Sequence, residues 1–285
     1  MNTISLKLPK DKINKIKETF KDDIKPSKNE YIDTFISREG LTISIYTNDK
    51  VVFQGSDALF YAQDFIENKV CRQAGSDEVG TGDFFGPVCV CACIVEEDQF
   101  PLLDKLHITD SKQLTDEHII KVGPTLMKEL KHSLLILENK QYNTVHDHYN
   151  LNAIKAKLHN KAYINLLKKG YTIPKAAYVD QFAPENLYYS YLREDAEVYH
   201  DLVFETKAES KYPAVAAASV IARFVFLTKM SEMERKYKMT FHKGADEKVD
   251  NDALIFIQKY GKDRLNEVAK LHFANYKKIE NRVEE

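Results

Sequence analysis

Val88-Cys89-Val90-Cys91-Ala92-Cys93-Ile94-Val95 is an unbroken run of eight apolar residues. A stretch this short and this uniformly apolar reads as a buried strand. Two more such stretches follow, Ser133 to Glu138 and Ala176-Ala177-Tyr178-Val179-Asp180, with helical patterns between them. One helix is expected over about Leu151 to Lys169, where Leu151, Ile154, Leu158, Ala162 and Leu166 recur at helical spacing and Gly170 is placed to cap the end. From Ala214 onward the pattern is mostly helical, and no repeat appears at a period of about 20–50 residues. Strands alternating with helices predict the α/β class.

Alternation along the 88–95 strand points Cys89, Cys91 and Cys93 to one face, about 6.6 Å apart. Zinc knuckles use a C-x₂-C spacing, so these three read as buried structural thiols. Four cysteines in 285 residues are too few for a disulfide framework, and the expectation is a reduced, cytoplasmic protein.

The length predicts roughly two domains. Hydrophobic residues make up 44% and charged residues 29%, with 10 Gly and 8 Pro, which excludes collagen-like, low-complexity and wholly disordered chains. The balance of 41 Lys+Arg against 43 Asp+Glu leaves no global basic excess, so a polyanion would have to be held by local patches. No apolar run approaches the ~20 residues of a membrane span, and the N-terminus lacks a basic region followed by an apolar one. No export or membrane insertion is expected.

The first 66 residues read as a small α+β unit. Ile4, Leu6 and Leu8 alternate as in a strand, and Pro9 then introduces a helix of about Lys10 to Phe20 with Ile13, Ile16 and Phe20 on one face. A strand is expected over Tyr31 to Ile36. A hairpin pairs 41–46 with 50–54 around Thr47-Asn48-Asp49, and a helix follows over about Asp57 to Glu67. Eight lysines between residues 7 and 28 face four acids, so this end is locally basic, either as a solvated face or as a nucleic-acid surface.

Three places carry candidate chemistry. In Gly75-Ser76-Asp77-Glu78-Val79-Gly80-Thr81-Gly82-Asp83-Phe84-Phe85-Gly86-Pro87 two adjacent carboxylates meet four glycines. Neighbouring strand residues face opposite ways, so both acids serve one site only if the strand ends there, and the glycines are expected to supply that turn. Neither the phosphate loop nor the dinucleotide fingerprint is present. Asp180 ends an apolar strand, where α/β chains gather ligands. Glu209 precedes the small-residue helix Ala214-Val215-Ala216-Ala217-Ala218, whose alanines permit close packing. Taken singly, the three also fit an exposed turn, a cap and a group complementing a helix dipole.

Together with Asp110-Ser111-Lys112-Gln113-Leu114, Leu158-His159-Asn160-Lys161-Ala162, Tyr178-Val179-Asp180-Gln181-Phe182 and Thr206-Lys207-Ala208-Glu209-Ser210, these stretches resemble the bacterial ribonucleases HIII, relatives of ribonuclease HII in the type 2 ribonuclease H family. The resemblance spans essentially the whole chain. It implies a ribonuclease H-like catalytic domain with a mixed sheet and flanking helices over 74–285, a linker over 67–73, and a substrate-binding TATA-binding-protein-like domain over 1–66. Glu209 and Gly80-Thr81-Gly82 fit the third type, since the second type has an aspartate and a Gly-Arg-Gly at these places.

Carried over by position, the catalytic and metal-binding carboxylates are Asp77, Glu78, Asp180 and Glu209. Phosphodiester hydrolysis needs in-line attack by water and a stabilised leaving oxygen, which two ions about 3.5–4 Å apart provide. Hard oxygen ligands select Mg²⁺ or Mn²⁺. The resemblance also implies that Gly80, Thr81 and Gly82 read the 2′-hydroxyl of the RNA strand, that Ser111 and Lys112 lie near phosphates, and that a monomer with no obligate protein partner cuts RNA/DNA hybrids. Rivals are an inert hybrid-binding protein, a metal-dependent phosphatase or other nuclease, and an enzyme of the second type cutting at single ribonucleotides. Histidines, including His146 and His148, are expected to be structural or superficial.

Overall fold

The computed structural model describes residues 2–65, 71–108 and 114–284. The chain divides into two compact units, Met1–Cys71 and Arg72–Glu285.

In the first unit β1 (Asn2–Lys7), β2 (Ile24–Lys25), β3 (Ile32–Arg38), β4 (Leu41–Tyr46) and β5 (Lys50–Gly55) form an antiparallel sheet in the order β1-β5-β4-β3-β2. Helices α1 (Lys10–Thr19) and α2 (Ala58–Ala62) cover one face. Ile13, Ile16 and Phe20 close the core against Ile36, Ile43, Ile45, Val51 and Phe53. The hairpin forms as expected, with Asp49 at φ 65° in its turn. Strand β3 runs two residues past the expected end. Helix α2 is shorter than expected: at Gln63 the chain tightens into a 3₁₀ turn ending at Phe65, and residues 66 and 67 lie outside the described ones.

The register sorts the strand residues of this unit. Thr3, Ser5 and Lys7 on β1, Lys50, Val52 and Gln54 on β5, Thr42, Ser44 and Tyr46 on β4, and Phe35 and Ser37 on β3 share the face away from the core, with Lys25 beside Phe35. That face carries hydroxyls, an amide, two aromatic rings and lysines. The lysines of α1 stand on the helix that covers the opposite face, so the basic N-terminal segment is split between two surfaces.

The second unit is built on a five-stranded mixed sheet in the order β10-β9-β6-β7-β8. Its strands are β6 (Gln73–Val79), β7 (Val88–Val95), β8 (Lys131–Leu137), β9 (Ala177–Asp180) and β10 (Val203–Glu205). Strands β6, β7 and β8 pair antiparallel, whereas β6, β9 and β10 run parallel. The helices are α3 (Phe100–Lys105), α4 (Asp116–Glu129), α5 (Asn139–His146), α6 (Leu151–Lys168), α7 (Glu185–Ser190), α8 (Pro213–Tyr237), α9 (Glu247–Tyr260) and α10 (Ala274–Glu284).

Strand β7 is buried along its full length, and its two faces feed two cores. Cys89, Cys91 and Cys93 point into the core built with α8, and Val88, Val90, Ala92 and Ile94 into the one built with α6. The thiols are therefore packing groups. Burial pushes Cys89 and Cys93 up to about 12, and the Cys93 thiol donates to the Ala214 carbonyl at 3.2 Å. Helix α6 is capped by Asn150 at its start, and Gly170, at φ +82°, lets the chain leave its end as expected. By length and apolar composition α8 would cross a membrane, yet 61% of its apolar window is buried inside the protein, which makes it the central core helix.

Candidate active site

Strand β6 does not stop at the acids. It stays paired with β7 through Val79, with Asp77 opposite Cys91 and Glu78 opposite Val90. The two carboxylates consequently leave the sheet on opposite faces. The expected turn that would swing both to one side comes later, at Gly80, where φ is +97° and a Cβ would stand 2.2 Å from the Pro87 carbonyl oxygen. Continuous pairing to a fully buried β7 outweighs the glycines.

Asp77 faces α8. Its carboxylate accepts from the Glu78 N–H at 2.8 Å and from the Ser219 hydroxyl of α8. Burial, then the neighbouring charges of Glu78 and Asp180, raise its pKa well above the usual carboxylate range. Asp180 stands beside it. The parallel pairing of β6 with β9 ends at Ser76 and Val179, so Asp77 and Asp180 are the next residues on adjacent strands. Asp180 accepts from the Ala208 N–H at 2.8 Å, and burial followed by the charges of Glu209 and Glu78 raises its pKa too. Glu209 is buried in a short 3₁₀ turn, Ala208–Ser210, that leads into α8, and Lys207 enters that turn with φ 56°.

Glu78 belongs to the α6 side. Lys155 pairs with its Oε1, and His159 Nε2 lies 2.9 Å from its Oε2. Burial alone would raise Glu78, but the hydrogen bond and charge of His159 and the charge of Lys155 prevail and hold it below the usual range. His159 Nδ1 sits 2.8 Å from the Ser76 hydroxyl, which also bonds to Tyr163, and Tyr163 donates to the Tyr178 carbonyl at 2.7 Å.

Asp77, Asp180 and Glu209 thus lie toward the α8 side of the sheet, and Glu78 leaves it toward α6. Among the described residues no three His, Cys, Asp or Glu side chains already converge as a metal shell. The donor chemistry nonetheless suits a hard divalent cation, because every candidate ligand is a carboxylate oxygen, and the burial and, after it, the mutual repulsion that raise Asp77 and Asp180 are what such a cation offsets.

Lys155 escaped the sequence reading, and His159 entered it only as a member of the Leu158–Ala162 motif, with a structural or surface role expected for it. The signal that links them is the four-residue spacing that stacks Lys155 and His159 on one face of α6. His146 is half-buried and stacks on His272 with ring centroids 4.2 Å apart.

After Gly80 the chain passes Thr81 and the exposed Gly82, where an added Cβ would meet nothing within 4 Å. The loop is pinned from the far end of the chain. Gly244 N–H donates to Asp83 at 2.6 Å, Gly86 N–H to the Val268 carbonyl at 3.0 Å, and Lys270 N–H to the Phe84 carbonyl at 2.8 Å. The fully buried Lys270 ammonium donates to the carbonyls of Asp83 and Gly86, and burial lowers its pKa to about 7. Ser111 and Lys112 lie outside the described residues. The segment that follows them is tied down, since Arg223 of α8 reaches both the Leu114 carbonyl and Asp116.

Residues 74–276 match the ribonuclease HII family, and residues 3–76 match a domain of unknown function, DUF3378. A ribonuclease HIII of Bacillus cereus (strain AH187) is 38% identical over 304 aligned positions, which cover 97% of this chain and 97% of that one. Among solved structures, Bst-RNase HIII in complex with Mn²⁺ superposes with a TM-score of 0.72 at 30% identity, covering 99% of both chains. The ribonuclease H2 of Pyrococcus horikoshii OT3 shares the fold of the larger unit, with a TM-score of 0.62 at 24% identity over 75% of this chain and 99% of its own.

Proposed function

The chain belongs to the ribonuclease HII family and is a ribonuclease H of the HIII type, and we propose that Asp77, Glu78, Asp180 and Glu209 form its catalytic, metal-binding centre. It combines a ribonuclease H-like α/β domain with a small TATA-binding-protein-like α+β domain. Ribonucleases H act on RNA/DNA hybrids with divalent metal ions. The observation that carries the proposal is the placement of Asp77 and Asp180 as level neighbours on adjacent parallel strands, facing the helix whose leading turn holds Glu209.

In this reading Asp77 and Asp180 are direct metal ligands, and Glu78 and Glu209 complete the shells. Bound Mg²⁺ or Mn²⁺ ions, two per site, supply an acidified water and neutralise the charge of the phosphate and the leaving oxygen. The chain's own part is positioning. The Ala208 N–H fixes Asp180, and Ser219 with the Glu78 N–H fixes Asp77, so that both carboxylates are held before the substrate arrives. The products are a 3′-hydroxyl and a 5′-phosphate.

Gly80, Thr81 and Gly82 offer backbone groups to the 2′-hydroxyl, and the open space beside Gly82 leaves room for a sugar. Ser111 and Lys112 are assigned to nearby phosphates. We assign substrate binding to residues 1–66, the link to 67–73, whose last residue Gln73 already opens β6, and catalysis to 74–285. Within the first unit the open sheet face, with Lys7, Lys25 and Lys50 among hydroxyl and aromatic side chains, suits a nucleic-acid backbone better than the helical lysines do. The enzyme is a cytoplasmic monomer that prefers long RNA tracts to single ribonucleotides.

The test uses labelled RNA/DNA hybrid, duplex DNA, duplex RNA and a duplex with one ribonucleotide, each with Mg²⁺, Mn²⁺ or EDTA. Metal-dependent cutting of the hybrid's RNA strand alone is expected. Preference for the single ribonucleotide would move the chain toward the second type, and binding without cutting would leave an inert hybrid-binding protein.

A further inference from the structure

The four-carboxylate reading uses no basic side chain, yet α6 aims two nitrogen groups at one of the acids. Lys155 takes one oxygen of Glu78 and His159 the other, one helical turn apart. Neither is a surface group, since Lys155 is 9% exposed and His159 fully buried. The Lys155 ammonium also lies 4.0 Å from the centre of the Phe182 ring, a cation–π contact away from bulk water. Its charge reaches Asp180 on the neighbouring strand as well as Glu78. Desolvating an ammonium is costly, and an apolar side chain of similar length in its place is often neutral or stabilising. A lysine kept here calls for a role beyond packing.

We propose that Lys155 acts in hydrolysis through its charge, as a cation paired with Glu78 that leaves the metal-loaded site positive by one. The assignment rests on the four-carboxylate reading. Four ionised carboxylates balance two divalent ions, so the ammonium remains as excess charge, equal and opposite to that of one phosphodiester. The charge draws the scissile phosphate toward the ions and opposes the negative charge that builds up as the bond to the leaving oxygen breaks. His159 has the complementary task. Tethered through Ser76 and Tyr163 to the backbone of β9, it keeps Glu78 in place independently of Lys155.

A charge role and a propping role have opposite effects on metal binding. Removing a nearby positive charge strengthens the attraction of carboxylates for a cation, whereas removing a prop weakens it. The experiment compares the full-length enzyme with Lys155→Met and Lys155→Arg. It measures Mn²⁺ affinity by calorimetry without substrate, hybrid affinity in Ca²⁺ by anisotropy, and single-turnover cleavage at saturating Mn²⁺. Lys155→Met is expected to cleave at least tenfold more slowly, to bind hybrid within a few-fold of the parent, and to bind Mn²⁺ as tightly or several-fold more tightly. Lys155→Arg should recover most of the rate.

Cleavage by Lys155→Met within twofold of the parent would overturn the assignment. So would a rate loss matched by weaker Mn²⁺ binding, or an Arg variant as slow as the Met variant. If Lys155→Met does not fold, Lys155→Gln carries the same test. Asp180→Asn serves as the control: full activity there would remove the metal-site reading itself, while an inactive Asp180→Asn beside a fast Lys155→Met would remove only the role of Lys155.

Discussion

Gly75 of β6 lies directly against the backbone of Val215: a Cβ built on Gly75 would stand 2.3 Å from the Val215 nitrogen and 2.5 Å from the Ala214 carbonyl carbon. Strand and helix touch here main chain to main chain, with Ala214, Ala216, Ala217 and Ala218 all buried around the contact. Because Asp77 is two residues along one partner and Ser219 one turn along the other, this contact sets the spacing across which they bond. Gly75→Ala is therefore expected to destabilise the protein by about 1–3 kcal/mol or more, as overpacking does. Activity should fall further than stability explains, which urea unfolding and cleavage rates on the same samples will show.

Asp77 is expected to oppose folding at neutral pH. Its folded-state pKa is raised, so the protein favours the protonated acid, and the cost of ionising it is absent well below the unfolded value of about 4 and grows as pH rises through the folded value. Asp77→Asn should thus be more stable than the parent in EDTA at pH 7, by roughly 1 kcal/mol. The gain should shrink toward pH 4. Denaturant titrations across that range measure it, and a gain independent of pH would contradict the cause given. Added Mn²⁺ should raise the melting temperature of the parent but not of this variant.

Asp180→Asn is expected to abolish turnover while leaving hybrid binding nearly intact, since the amide still accepts the Ala208 N–H but carries no charge for a cation. Binding by anisotropy and cleavage by gel separate the two effects. Retained cleavage would sink the role of Asp180.

On the first unit, Lys7→Ala and Lys50→Ala are each expected to weaken hybrid binding across all sequences and to lower the salt slope by about one. Lys12→Ala and Lys15→Ala on α1 should change neither by as much. The reverse ranking would place the hybrid on the helical face.

The wiring of the larger unit was legible because β7 is buried on both sides and the helices around it keep a regular apolar spacing. The carboxylates were legible as candidates because Asp180 closes an apolar strand, Glu209 precedes the alanine-rich helix, and Asp77 and Glu78 stand just before a glycine-rich stretch. Which face each acid takes was not legible. The sequence Asp77-Glu78-Val79-Gly80 offers a turn at any of several residues, and antiparallel pairing with the next strand, β7, decides that the strand runs on to Val79. Lys155 was hidden, and His159 stood in its motif without this role, because a helix face looks apolar or polar by average and their meaning depends on a strand about 80 residues earlier. The shortness of α2 has a local cause, the 3₁₀ turn at Gln63, whose side chain accepts from the buried Cys71 thiol at 2.8 Å.

The pinning of the glycine loop by Gly244, Val268 and Lys270 bears on how the enzyme comes into being on the ribosome. Asp77 and Glu78 emerge early in synthesis, but the turn beside them acquires its holding bonds only when residue 270 has left the exit tunnel. A chain that has not yet added residues 244–270 therefore carries Asp77 and Glu78 without the hydrogen bonds that hold the turn beside them.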